Sequence, residues 1–145
     1  MAKIREIYAS LAKLAEEIGE IEYQARFSEY SCDFKVDYDS DSPDDVQLYR
    51  NLYDIIEQLH KTKSTVDYLN KPIKKYTTLH KNCSDRYETE DGRELTCGSS
   101  IEYYGYDNYT EHNAWIESRI EHNGDDYYIV GDRELSLEGL RIRIR

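Results

Sequence analysis

The chain has 145 residues, with 30 Asp and Glu against 19 Lys and Arg, and a formal net charge of -11. That length suits one ordinary domain or two very small ones, and with 34% of residues charged there is little apolar material for a core. The acidic balance disfavours adhesion to nucleic acid or an anionic membrane, while 39% hydrophobic residues and 15 tyrosines are too many for a disordered acidic tail.

The first half reads as helical. Ile4, Ile7, Leu11, Leu14, Ile18, Ile21 and Ala25 alternate spacings of three and four, which puts them on one helical stripe. A second helix starts at Ser42, a capping residue followed by Pro43 at the first helical position and by Asp44 and Asp45 at the positive end of the dipole. Its stripe runs through Leu52, Ile55, Leu59, Thr62, Val66 and Leu69; Asn70 is expected to close it in the left-handed conformation, and Pro72 cannot continue it. Two such helices fold back as an antiparallel hairpin, or form a homodimer through the same seam.

The period then changes. Asp91-Gly92 and Asn123-Gly124 each sit between short alternating runs, Arg86 to Glu90 with Arg93 to Thr96 and Trp115 to Glu121 with Tyr127 to Val130, which predicts two antiparallel hairpins. The chain closes with Leu140, Ile142 and Ile144 alternating with Arg141, Arg143 and Arg145, one face inward and one basic. The expected fold is α+β: a helical hairpin over residues 1–71 with an acidic connecting loop, then a small antiparallel SH3-like or OB-like barrel over 72–145, the boundary falling near Lys71 to Ile73.

No catalytic signature is present, so the chain is read as non-enzymatic: no nucleophile has a turn motif around it and no glycine loop cradles a phosphate. Asp37-x-Asp39-x-Asp41 opens like a calcium loop, but Ser42 and Leu48 stand where Gly and the bidentate Glu are required. His80, Cys83, Cys97 and His112 match no zinc spacing, and no metal or other cofactor is expected. Cys32, Cys83 and Cys97 are odd in number and irregularly spaced, unlike a secreted disulfide framework. With no apolar run for a signal peptide or membrane span, the expected compartment is the reducing cytoplasm.

The segments Glu94-Leu95-Thr96-Cys97-Gly98-Ser99-Ser100-Ile101-Glu102, Trp115-Ile116-Glu117-Ser118-Arg119-Ile120-Glu121-His122, Tyr127-Tyr128-Ile129-Val130-Gly131 and Leu137-Glu138-Gly139-Leu140-Arg141-Ile142-Arg143 resemble a small domain-of-unknown-function family. That family is carried by phages, plasmids and conjugative elements of Gram-positive bacteria. The resemblance covers part of the second half and none of the helices, and Tyr103 to Asn113 reads as a tyrosine-rich insert. It implies a mobile-element context in a bacterial host and no particular chemistry; small acidic proteins of such elements chiefly disarm host defences or regulate transfer.

Charge is segregated along the chain. Glu29, Asp33, Asp37, Asp39, Asp41, Asp44 and Asp45 face only Lys35 within residues 29–45, and residues 85–126 carry a second acidic excess. Between them lie Lys61, Lys63, Lys71, Lys74, Lys75 and Lys81, lysines that more often complement a helix end than bind nucleic acid. An extended Asp33 to Asp39 sets alternate side chains about 6.8 Å apart on one face, a row of carboxylates comparable to backbone phosphates. The candidate partner-binding residues are therefore Asp33, Asp37, Tyr38, Asp39, Asp41, Asp44 and Asp45, with Glu102, Tyr104, Tyr106, Asp107 and Glu111 in an expected second acidic loop over 102–111. The expected partner is a protein with a basic nucleic-acid-binding groove, a Cas9-guide RNA complex in the anti-CRISPR reading, with no direct DNA binding and no membrane. The alternative is a non-enzymatic adaptor or regulator of a mobile element that oligomerises through its helices.

Overall fold

In a computed structural model, which describes every residue except Cys32, the chain divides into two compact units, Met1–Lys71 and Pro72–Arg145. The cysteine reading at position 32 lies outside the described residues; Cys83 and Cys97 are exposed free thiols.

The first unit is a helical pair, α1 (Ile4–Gln24) and α2 (Pro43–Asn70). At the start of α1 the Glu6 carboxylate accepts the Lys3 N–H at 3.1 Å. The helix ends where Arg26 turns into the left-handed region (φ 49°), with the Phe27 N–H on Glu22 O and the Arg26 N–H on Tyr23 O. These are the two bonds of a Schellman close, made here without glycine. At α2 the Ser42 hydroxyl accepts the Asp45 N–H at 3.3 Å, and Pro43 occupies the first turn.

The seam between the helices differs from the expected one. Of the α1 stripe only Ile18 and Ala25 are buried, whereas Ile4, Ile7, Leu11, Leu14 and Ile21 stay exposed. The helices meet instead along Tyr8, Ala15, Gly19 and Glu22, each one residue further on. The Tyr8 hydroxyl bonds Asn70 Oδ1 at 2.5 Å, a Cβ on Gly19 would lie 3.1 Å from Lys63 Cε, and Glu22 holds His60 at 2.8 Å. Small residues let α2 approach closely, so the bulkier stripe is rotated out of the contact. Asn70 is likewise not a left-handed cap. It ends the helix while its side chain accepts from Tyr8, and Lys71 caps in an extended conformation (φ -60°, ψ 133°).

The connecting segment packs on α2. Ala25, Phe34 and Ile56 form a small core joined by Phe27, Val36, Tyr49, Leu52 and Tyr53. It is tied down by the Ser28–Asp33 bridge and by the Lys35 N–H on Ala25 O at 2.7 Å.

The second unit is an antiparallel sheet of β1 (Lys75–Thr78), β4 (Ser100–Asp107), β5 (His112–His122), β6 (Tyr127–Ile129) and β7 (Arg141–Ile144) in the order β1-β7-β4-β5-β6, with a separate ribbon of β2 (His80–Lys81) and β3 (Tyr87–Glu88). The sheet is open, its edges being β1 and β6, and not the closed barrel expected. The reason lies at Asp91-Gly92: β3 before the turn pairs with β2, and the returning chain makes only the single Glu88–Glu94 bridge, so these segments add nothing to the main sheet. Gly92 (φ 83°) takes the left-handed place in a loop closed between Thr89 N–H and Arg93 O. The second predicted turn joins β5 to β6 through residues 123–126, with the Asn123 side-chain oxygen accepting the Asp125 and Asp126 N–H groups.

Residues 102–107 and 112–113, expected as loop and insert, belong to the longest hairpin of the sheet, β4 paired with β5 from Ser100–Arg119 to Asp107–His112. One face buries Ile101, Tyr103, Ile120, Ile129 and Ile142 against Leu79, Tyr87, Leu95, Leu137 and Leu140. Among the described residues no helix is long and apolar enough to cross a membrane.

Candidate functional site

The sequence-predicted residues fall into two groups, one in each unit. In the first, the backbone alternates as an extended chain does: Phe34 is buried and Val36 half-buried, while Asp33, Asp37 and Asp39 point to solvent with Lys35 between them. The inward side chains are fixed by an aromatic stack, Phe34 on Tyr49 at 4.6 Å and Tyr49 on Tyr38 at 4.2 Å between ring centroids. Tyr38 is thus a partly covered anchor beside the acids rather than a free contact.

The following turn is organised by the acids themselves. The Asp39 Oδ1 accepts the Asp41 N–H at 2.9 Å and the Asp45 carboxylate accepts the Asp39 N–H at 3.2 Å, so Asp39 and Asp45 share their charge with backbone donors. Asp37, Asp41 and Asp44 are exposed. Beside them a recess of about 270 Å³ has a floor of Phe34, Tyr49 and Tyr53 and a rim of Asp33, Asp54 and Arg50. Aromatic faces below and carboxylates at the rim are what the stem and head of a Lys or Arg side chain require.

The second group does not form one acidic loop. Glu102 is 4% exposed and held by Arg143 and by Arg145 at 3.1 Å. Burial alone would raise its pKa, but the hydrogen bonds from Arg143 and Arg145 outweigh that and keep the carboxyl below its ordinary value. It therefore offers a partner no free carboxylate. Asp107 closes the β4–β5 turn: its Oδ2 accepts the Thr110 hydroxyl at 2.6 Å and N–H at 3.0 Å, bonds that also lower its pKa. Glu111 is exposed in the left-handed region (φ 57°), and Tyr106 is exposed near it.

Tyr104 belongs to a cluster that sequence reasoning missed. On the sheet face opposite the core, Arg141 lies over the Tyr104 ring at 4.8 Å and Arg143 over Trp115 at 4.7 Å, while Tyr76 and Tyr104 meet Trp115 edge-on at 5.8 and 5.5 Å. A recess of about 220 Å³ opens among Tyr76, Thr78, Glu90, Trp115 and Arg141. The alternation of Arg141, Arg143 and Arg145 gave the face, but only the register, with Arg143 opposite both Tyr76 and Glu102 and Tyr104 opposite Trp115, brings the aromatics to it.

The lysines are mostly committed. Lys61 pairs with Glu57, Lys63 with Asp67, Lys75 with Asp91 and Lys81 with Asp126, which leaves little of a phosphate-binding patch. The Lys75 and Thr89 hydrogen bonds hold Asp91 down at a pKa of about 2. His80 engages Glu138 at 3.0 Å and His112 engages Thr110 O at 2.5 Å; among the described residues no group of three His, Cys, Asp or Glu is placed to hold a metal ion.

What these surfaces can do chemically is receive cations at residues 33–45 and present an arginine and aromatic patch on the sheet. No curated protein and no solved structure matches the chain. Residues 77–144 match the model of a family described as a domain of unknown function, DUF5348, so the sheet unit is similar to an uncharacterised-domain family and the helical unit lies outside the match.

Proposed function

We propose that the protein is a non-enzymatic inhibitor of a bacterial defence nuclease, an anti-CRISPR protein of a phage or other mobile element that acts in the host cytoplasm by acidic DNA mimicry. The observation that carries this reading is the row of outward carboxylates at Asp33, Asp37 and Asp39, continued by Asp41 and Asp44, on a segment anchored by Phe34, Val36 and Tyr38. Holding the acids in place before binding lowers the ordering cost of docking. The target is a Cas9-guide RNA complex, whose Arg forks read the protospacer-adjacent motif and would accept carboxylates in place of phosphates and base acceptors. Asp107 and Glu111 belong to a second, lesser contact, and Glu102 serves the fold. Charge pairing makes association fast and salt-sensitive.

The test is co-purification with a Cas9-guide complex and its competition by duplex DNA carrying the motif. Binding that the DNA displaces, and that the combined Asp37→Asn, Asp39→Asn and Asp41→Asn variant loses at unchanged helicity, supports the proposal; retained inhibition by that variant sinks it for this segment. A second reading, an adaptor of a mobile element that works through its helices, is favoured by the exposed apolar stripe of α1.

A further inference from the structure

The helical unit does not bury its own best apolar surface. Ile4, Ile7, Leu11, Leu14 and Ile21 keep a strict three-four spacing over three heptads yet remain between 39% and 82% exposed. In α2, Leu48, Ile55 and Leu69, separated by multiples of seven residues, are 57%, 50% and 45% exposed. A repeat of seven held this regularly is the pattern of a helix that packs along its whole length against other helices.

Both stripes lie on one side of the hairpin. In α1 each member precedes by one residue a side chain turned toward α2: Ile7 before Tyr8, Leu14 before Ala15, Ile18 before Gly19, Ile21 before Glu22. The same offset recurs in α2, with Ile55 before the buried Ile56, Leu59 before His60 and Thr62 before Lys63. Equal rotational offsets in two antiparallel helices fall on the same flank. The other flank is already covered by Phe34 and Val36 of the connecting segment, which pack on Tyr49 and Tyr53. The hairpin is thus half of a four-helix bundle with its inner layer uncovered.

Charge says what covers it. Lys3, Arg5 and Lys13 stand with Lys61, Lys63 and Lys71 at one end of the hairpin, and Glu16, Glu17 and Glu20 with Asp44, Asp45, Asp54 and Glu57 at the other. Two copies laid antiparallel on the open flank bring each basic end against an acidic end, whereas parallel packing sets like charges together. We propose that the open flank of α1 and α2 binds a second copy of this chain, antiparallel, to close a four-helix bundle.

The experiment is the solution mass of the full chain by sedimentation or light scattering, with helicity followed by circular dichroism. The expected result is a species of twice 17.2 kDa at micromolar concentration, converted to 17.2 kDa by Ile7→Glu with Leu14→Glu. Those side chains are exposed in the single chain, so its helical signal should persist. A second pair of variants gives a positive readout: Lys3→Glu, Arg5→Glu, Lys13→Glu in one chain and Glu16→Lys, Glu17→Lys, Glu20→Lys in another should each be monomeric alone and pair when mixed. A wild-type chain that stays monomeric, or whose α1 stripe is protected only in a complex with the nuclease, overturns the proposal. None of these readouts requires the nuclease, so this pairing and the inhibitory function fail separately.

Discussion

Arg143 and Glu102 stand opposite each other across the β7–β4 ladder and are joined by a salt bridge on the sheet face away from the core, where Arg143 also covers Trp115. Arg145 closes on the same carboxylate. All three side chains are largely withdrawn from water, so removing the single anion leaves two guanidinium groups without their partner.

Glu102→Ala is therefore expected to destabilise the sheet unit by about 3 kcal/mol, in the range for breaking a buried pair. Urea unfolding followed by the fluorescence of Trp115, the single tryptophan, measures it. A loss below about 1 kcal/mol, the range of exposed pairs, would show that water screens the pair. The pH dependence has a definite sign. The folded carboxyl titrates below its ordinary value, so its contribution is complete above the unfolded pKa and is lost as the pH falls through the folded one. Glu102→Gln should remove that part of the acid sensitivity.

The opposite sign is expected in the helical unit. His60 joins the helices and the connecting segment, its Nδ1 at 2.8 Å from Glu22 and its Nε2 at 2.9 Å from Glu29. Burial alone would lower its pKa, but the hydrogen bonds to Glu29 and Glu22 outweigh that and raise it above the ordinary value of 6.5. The protonated form stabilises the fold fully below the unfolded pKa, and that contribution is lost as the pH rises through the folded one. Melting of the helical signal should therefore move to lower temperature between about pH 6 and about pH 8.5. His60→Gln should shrink that shift; an unchanged shift would assign it to other groups.

How much of this was legible in the sequence depended on the range of the interaction. Ser42 and Pro43 announced the start of α2 because capping is local. The α1 stripe gave the helix and the wrong seam, since periodicity identifies an apolar face and not what lies against it. The small residues that set the contact, Ala15 and Gly19, carry almost no hydropathy signal. Asp91-Gly92 and Asn123-Gly124 marked turns correctly but not which strands they feed, because sheet partners are chosen by distant register. For the same reason Glu102 read as an exposed acid: its neighbours Arg143 and Arg145 are 41 and 43 residues away. The outward row at Asp33 to Asp39 was more accessible, since extended chain and alternating polarity are both local properties.

Arg26 offers a test of the helix end. Its left-handed conformation costs a side-chain-bearing residue free energy that glycine does not lose, and the Schellman bonds need only the backbone. Arg26→Gly should stabilise the helical unit by about 0.5–1 kcal/mol, seen as a higher melting temperature. A lower one would mean that the Arg26 side chain contributes more than its backbone costs.

Gly105 in β4 tests the core face. A Cβ there would lie 2.7 Å from Cε2 of the Tyr103 ring two residues earlier, and that ring is itself buried. Gly105→Ala must displace it, and a destabilisation of about 1–3 kcal/mol is expected by chemical denaturation. A neutral effect would show that Tyr103 has an alternative rotamer of similar energy.

Tyr49 connects packing to the proposed activity. Its ring lies between Phe34 and Tyr38, and through them it holds the segment whose carboxylates face outward, although Tyr49 carries no charge. Tyr49→Ala should cost about 2–3 kcal/mol of stability and leave the connecting segment open to limited proteolysis between Phe34 and Ser42. If the acids act as a pre-ordered row, this variant should also weaken nuclease inhibition severalfold at temperatures where its helices remain folded, because the ordering cost returns on binding. Tyr49→Phe, which keeps the stack, should behave as wild type in both assays. Inhibition that is indifferent to Tyr49→Ala while sensitive to the aspartates would mean that their charge matters and their spacing does not.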